Sequence, residues 1–183
     1  VALQAAVTRQ SAELPEGPAD ASVDADNEKG SGRRLHRLSI THQDDIFSLP
    51  YTETVSFSSM AVWKRDHRPV TLEPDGYFAL VRGESHEDHY TKYFALEIDQ
   101  DTEANVRHRN FWTQKSILKT MITYGEAHKR GIIEAKLGLP NMRTIFVTTS
   151  ERHVSNILRN AAPMFLKAGY SPNLILFSSR EAI

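Results

Sequence analysis

The chain has 183 residues, with 22 Lys and Arg against 23 Asp and Glu, for a formal net charge of −1 at pH 7. That length suits one ordinary domain with a tail, and the charge balance excludes a uniformly basic nucleic-acid coat, so any DNA contact has to use a local patch. Cysteine is absent and no run approaches the ~20 apolar residues of a membrane span, which excludes disulfide frameworks, a thiol nucleophile and a spanning helix, and agrees with a reducing, cytoplasmic setting.

Residues 1–34 read as a flexible acidic linker or tail. Between residues 8 and 32, Ala, Glu, Asp, Pro, Gly and Ser dominate, a composition that cannot bury enough apolar surface to order itself. Val1 to Val7 is too short for a secretory signal, and Ala2 to Ala6 suits the last turn of a helix. The absence of an initiator methionine points to a longer native protein.

The domain itself is expected over residues 35–183. Apolar residues from Leu35 to Leu49 fall at three-and-four spacing and stop at Pro50, which predicts a short helix carrying His36 and His42. Three strands are expected next, at Val55 to Trp63, Pro74 to Arg82 and Lys92 to Asp99, the last two paired as a hairpin around the polar loop Gly83 to Tyr90. His86 and His89 in that loop are spaced like a metal pair but read as a solvated loop tip. A long helix is expected from Thr102 to Gly131, with Lys129 and Arg130 at its carboxyl end. A strand at Thr144 to Thr148 follows, then a helix from Glu151 to Lys167 capped by Ser150 and bent at Pro163, then a strand at Asn173 to Phe177. The order α-β-β-β-α-β-α-β predicts an α/β fold with a mixed sheet and helices on both faces.

Alternation over Tyr93 to Asp99 assigns Phe94, Leu96 and Ile98 to the core face and Glu97 and Asp99 to the opposite one. Asp75 joins them on the neighbouring strand, facing Asp99 if the loop closes symmetrically, with Glu97 on the diagonal. Directly opposed Cβ atoms lie about 5 Å apart, so three such carboxylates repel unless a cation sits among them. Oxygen donors of this kind suit Mg2+ or Mn2+. A slipped register would instead leave a solvated acidic edge. Lys115 and Gln114 should lean from the following helix toward the sheet, Lys115 neutralising the cluster or orienting water, or else snorkelling over the core. Arg107, Arg109 and Lys119 make the same segment locally basic, which suits a DNA contact.

Pro74-Asp75, followed by the acidic Glu97-Ile98-Asp99, resembles the PD-(D/E)xK restriction-endonuclease-like superfamily. More narrowly, Pro74-Asp75-Gly76-Tyr77-Phe78-Ala79-Leu80 with Tyr93-Phe94-Ala95-Leu96-Glu97-Ile98-Asp99-Gln100-Asp101-Thr102-Glu103 is similar to the replication-relaxation family of plasmids, phages and integrative elements. Leu35 to Ile40, Lys115 and Tyr124 also fall where that family has a helix motif, a lysine and a tyrosine. The resemblance covers roughly residues 35–178. It implies a nuclease-like, metal-dependent DNA-processing domain, with an amino-terminal DNA-binding domain before it and a plasmid replication or relaxase protein as a partner. Carried over residue by residue, Asp75 and Glu97 are the metal acids, with Asp99 beside them, Lys115 as the cation and Glu103 assisting; Asp101 or Thr102 caps the helix. Asp99 stands where the superfamily has lysine, so the alternative is a catalytically inactive DNA- or relaxosome-binding module. No phosphate-binding glycine loop, nucleophile elbow or dinucleotide fingerprint is present.

Overall fold

The structure, a computed structural model, describes residues 38–47, 54–83, 90–100 and 102–182. The tail at 1–34 and His36, His86, His89 and Asp101 lie outside the described residues.

A five-stranded mixed sheet organises the domain. Its strands are β1 (Leu38–His42), β4 (Gly76–Arg82), β5 (Tyr90–Asp99), β6 (Arg143–Thr148) and β7 (Ile175–Ser179), side by side in that order. β1, β4 and β5 pair antiparallel, whereas β5, β6 and β7 run parallel. A separate antiparallel hairpin is made by β2 (Phe57–Trp63) and β3 (Asp66–Leu72). The helices are α1 (Gln43–Phe47), α2 (Ile117–Lys129), α3 (Ile132–Leu137), α4 (Glu151–Asn160) and α5 (Ala162–Lys167), so the expected α/β architecture of a mixed sheet flanked by helices holds. Among the described residues no helix is long and apolar enough to cross a membrane.

Four expectations change. Of the helix expected over Leu35 to Leu49, only Gln43–Phe47 is helical, while Leu38–His42 forms an edge strand whose backbone pairs with β4 from Leu38↔Arg82 to His42↔Phe78. Tertiary pairing overrides the helical spacing there. β3 was not anticipated: its residues are mostly exposed and include Pro69, which only an edge strand tolerates. The helix expected from Thr102 begins only at Ile117, where the Ser116 side chain accepts the Lys119 amide hydrogen. Residues 102–116 before it form an irregular segment that docks Phe111 in the core. Finally, α2 and α4 reach the same face of β5, through Tyr124 to Glu97 and His153 to Asp99, rather than opposite faces. The strands advance in one direction from β5 to β7, and right-handed crossovers in one direction return their helices to one side.

The remaining local signals are realised closely. Ser150 caps α4 by accepting from the His153 amide, and Pro163 separates α4 from α5, since its ring cannot continue the hydrogen-bond ladder. Gly169 follows α5 at φ +88, a left-handed conformation that favours glycine. Within α2, Gly125 permits close approach: a Cβ there would sit 2.7 Å from the Tyr170 ring.

Candidate functional site

The register decides which acids meet. β4 and β5 pair from Arg82↔Tyr90 to Gly76↔Leu96, so the next residue, Asp75, stands beside Glu97 and not beside Asp99 as symmetric closure would have it. The Asp75 amide donates to the Leu96 carbonyl at 2.9 Å. Its side chain accepts from the Ile98 amide at 2.6 Å, extending the ladder past the end of the strand. Asp75 also borders a hollow of about 410 Å3 with Ile40, His42 and Gln43.

The facing of β5 is the reverse of what alternation predicted. Ala95, Glu97 and Asp99 are on the buried face with Tyr77 and Ala79 of β4; on the other face Phe94 is buried as expected, but Leu96 is only half-buried and Ile98 is 42% exposed. Acidic residues therefore lie under α2 and α4. The apolar partner face of the strand carries the stacked Phe78 and Phe94 rings, 4.9 Å apart. Polarity alone gave the wrong face because each buried carboxyl has its own hydrogen-bonding partner.

For Glu97 that partner is Tyr124, whose hydroxyl donates to Oε1 at 2.7 Å. Burial, helped by the nearby Asp75 and Glu103 carboxylates, pushes the Glu97 carboxyl up to about 7 against the opposing pull of Tyr124 and Lys115. Burial and then Glu97 raise the Tyr124 hydroxyl, and Tyr77 rises for the same two reasons. Lys115 stands just before the α2 cap and pairs with Glu103 at 2.8 Å, its own side chain 65% exposed. Burial favours its neutral form, but the Glu103 bond and the charges of Glu103, Glu97 and Asp75 outweigh that and hold it positive. A cavity of about 280 Å3 is lined by Glu97, Lys115, Lys119 and Thr120 together with Leu72 and Glu73 at the end of β3.

Asp99 leaves the group. Its Oδ2 lies 2.8 Å from His153 Nε2 in the first turn of α4, with both side chains largely buried. Its Oδ1 is buried and has no hydrogen-bond partner among the described residues. In register beside it across the parallel strands stand the buried Thr148 and Ser179. His153 was missed in the sequence, and a lone histidine in the polar first turn of an amphipathic helix carries no signal of a buried acidic partner.

The expected three-acid metal centre is thus not assembled. Among the described residues, no group of three or more His, Asp or Glu is placed to hold a metal ion. What remains is a pair of carboxylates, Asp75 and Glu97, on adjacent strand ends, with Lys115 and Glu103 in electrostatic range. Such a set fits a hydrated Mg2+, which keeps several waters and takes only one or two carboxylates alongside substrate phosphate oxygens.

The residues expected to touch DNA do not form one strip. Arg107 donates to the Lys115 carbonyl, Lys119 donates to the Trp112 carbonyl and faces the acidic cavity, and Arg109 alone stands by the β2–β3 turn. Burial lowers the pKa of Lys119. The helical periodicity that joined them is not present, because residues 107–116 are not a helix. Comparison with protein-family models, with curated proteins and with solved structures gives no match.

Proposed function

We propose that this chain is a nuclease-like, metal-dependent DNA-processing domain of the replication-relaxation type, working in the cytoplasm beside a plasmid replication or relaxase protein. One observation carries the reading: Asp75 and Glu97 are neighbours at the ends of paired strands, and Lys115 lines the same cavity as Glu97. Asp75 and Glu97 would hold magnesium or manganese. When bound, that ion supplies polarisation of a phosphodiester and activation of water. Glu97 must give up a proton to solvent to become a ligand, which its carboxyl near 7 permits at neutral pH. Lys115 contributes fixed positive charge where a phosphate would stand, and Glu103 holds its ammonium in place. Tyr124 fixes the orientation of Glu97 from below.

The test is nicking of supercoiled plasmid with Mn2+. Wild-type protein is expected to nick, and Asp75→Ala and Glu97→Ala to lose at least about a hundredfold in rate, the scale of removing one electrostatic partner from a transition state. A catalytically inactive DNA- or relaxosome-binding module is the second reading. It is favoured by the fact that every acid already has a protein partner: Ile98 for Asp75, Tyr124 for Glu97, His153 for Asp99. Wild-type protein that shifts DNA on a gel yet nicks no faster than the variants decides for that module.

A further inference from the structure

A concavity of about 800 Å3 opens between the β2–β3 hairpin, α2 and α5. A second, of about 490 Å3, adjoins it across Trp63 and Lys64, which border both. Lys64, Arg65, Arg109, Lys129, Arg130 and Lys167 are distributed around the two, and all six are exposed. Only two carboxylates share the lining, and both are already held. Asp66 pairs with Arg68 at 3.0 Å, while Glu126 takes Arg130 at 2.9 Å and the Tyr170 hydroxyl at 2.8 Å. Among the described residues, none of Lys64, Arg65, Arg109, Lys129 or Lys167 makes an ion pair. A chain of net charge −1 has gathered unpaired positive charge around one pair of hollows.

The wall between the hollows is aromatic. Trp63 stacks on Phe111 at 4.4 Å, nearly parallel, and His108 stands 6.0 Å from its ring. Trp112 meets Phe111 edge-on and carries the Arg68 guanidinium over its face at 5.2 Å. Phe111 is buried and props the half-buried Trp63 and Trp112 from behind, so these two present aromatic surface beside the cations.

We infer that this surface binds single-stranded DNA: the cations follow the phosphates and unstacked bases enter the hollows against the Trp63–Trp112 wall. The partner follows from the chemistry. Cations alone would hold any polyanion, but hollows of this size beside aromatic rings suit bases that have left a stack, which a duplex does not offer. The inference rests on the proposed function only in taking DNA as the ligand. It does not involve Asp75 or Glu97.

The experiment uses the whole chain in EDTA with a fluorescein-labelled oligothymidylate of about 20 nucleotides, and the same length as duplex. The chain's two tryptophans, Trp63 and Trp112, both lie at this surface, so intrinsic fluorescence reports on it directly. Single strand is expected to bind at least about tenfold tighter than duplex and to quench tryptophan emission. The combined Lys64→Ala, Arg65→Ala and Arg109→Ala variant changes only exposed side chains and should keep its circular dichroism and melting. It is expected to lose about tenfold in affinity, and its salt slope to fall by roughly 2, at about 0.7 per phosphate released. Lys136→Ala, on α3 and outside both hollows, should bind as wild type. Equal affinity for duplex, unmoved tryptophan emission, or an unchanged salt slope in the triple variant would overturn the inference. Binding in EDTA without nicking under Mn2+ keeps this surface and removes the catalytic reading. Nicking with unaltered affinity in the triple variant does the reverse.

Discussion

The acidic pocket at the ends of β4 and β5 and the basic surface around the β2–β3 turn handle charge in opposite ways. Around Glu97 each acid is matched to a specific neighbour, and burial amplifies every mismatch until a carboxyl sits near 7. Around Trp63 the charges stay in water and pair little. The buried region therefore contributes strongly to stability and to its pH dependence, whereas the exposed one contributes to stability hardly at all. Lysines and arginines that make no ion pair are the ones available to a polyanionic partner, because engaging them breaks no internal bond.

Three substitutions sharpen that contrast. Asp99→Ala removes one hydrogen-bond partner of a largely buried histidine at the end of β5, so unfolding free energy should drop by about 3 kcal/mol, measured by urea denaturation, with binding to DNA unchanged. No loss of stability there would mean the Asp99–His153 contact is not formed.

Glu97→Gln comes next. A folded-state carboxyl near 7 against an ordinary 4.5 means that the fold retains the proton where the unfolded chain releases it. The stability this contributes is fully present below about pH 4.5 and is lost as pH rises through about 7. Wild-type protein should lose up to about 3 kcal/mol between pH 4.5 and pH 8 from this group, while Glu97→Gln, still able to accept from Tyr124, should show no such slope and be the more stable of the two at pH 8. Parallel pH profiles for the two proteins would place Glu97 in water and dissolve the contrast.

Gly125→Ala is the smallest effect and tests the join between the two regions. Its new methyl group meets the Tyr170 ring, which must shift and carry its hydroxyl away from Glu126. A cost of about 1–2 kcal/mol is expected, part of the overpacking penalty being offset by the better helix propensity of alanine. Unchanged melting would show that the ring has room to yield.

Much of the local structure was legible in the sequence. Ser150, Pro163 and Gly169 mark their helix and its end through backbone chemistry that operates within a few residues, and the parallel crossovers follow from alternating strand and helix patterns. The acids at Asp75 and Glu97 were legible as neighbours, though not as opposite residues. Asp99 was misjudged because its fate depends on His153, which is 54 residues away in the chain. The basic surface was hidden for a related reason. Lys64, Arg65 and Arg68 come together only because β3 pairs with β2, and Arg109 joins them only because Phe111 stacks on Trp63.

By itself the sequence determined the class of fold, the caps and breaks of the helices, and the residue types available for chemistry, since these depend on periodicity and on bonds made within a turn or two. Only the tertiary structure decided which side of β5 is interior, which carboxylates are neighbours, and where unpaired positive charge collects. Those outcomes depend on strand register and on partners distant in the chain. A shift of two residues in pairing, or one helix returning to the same face as another, reassigns every side chain's neighbours without altering any local preference.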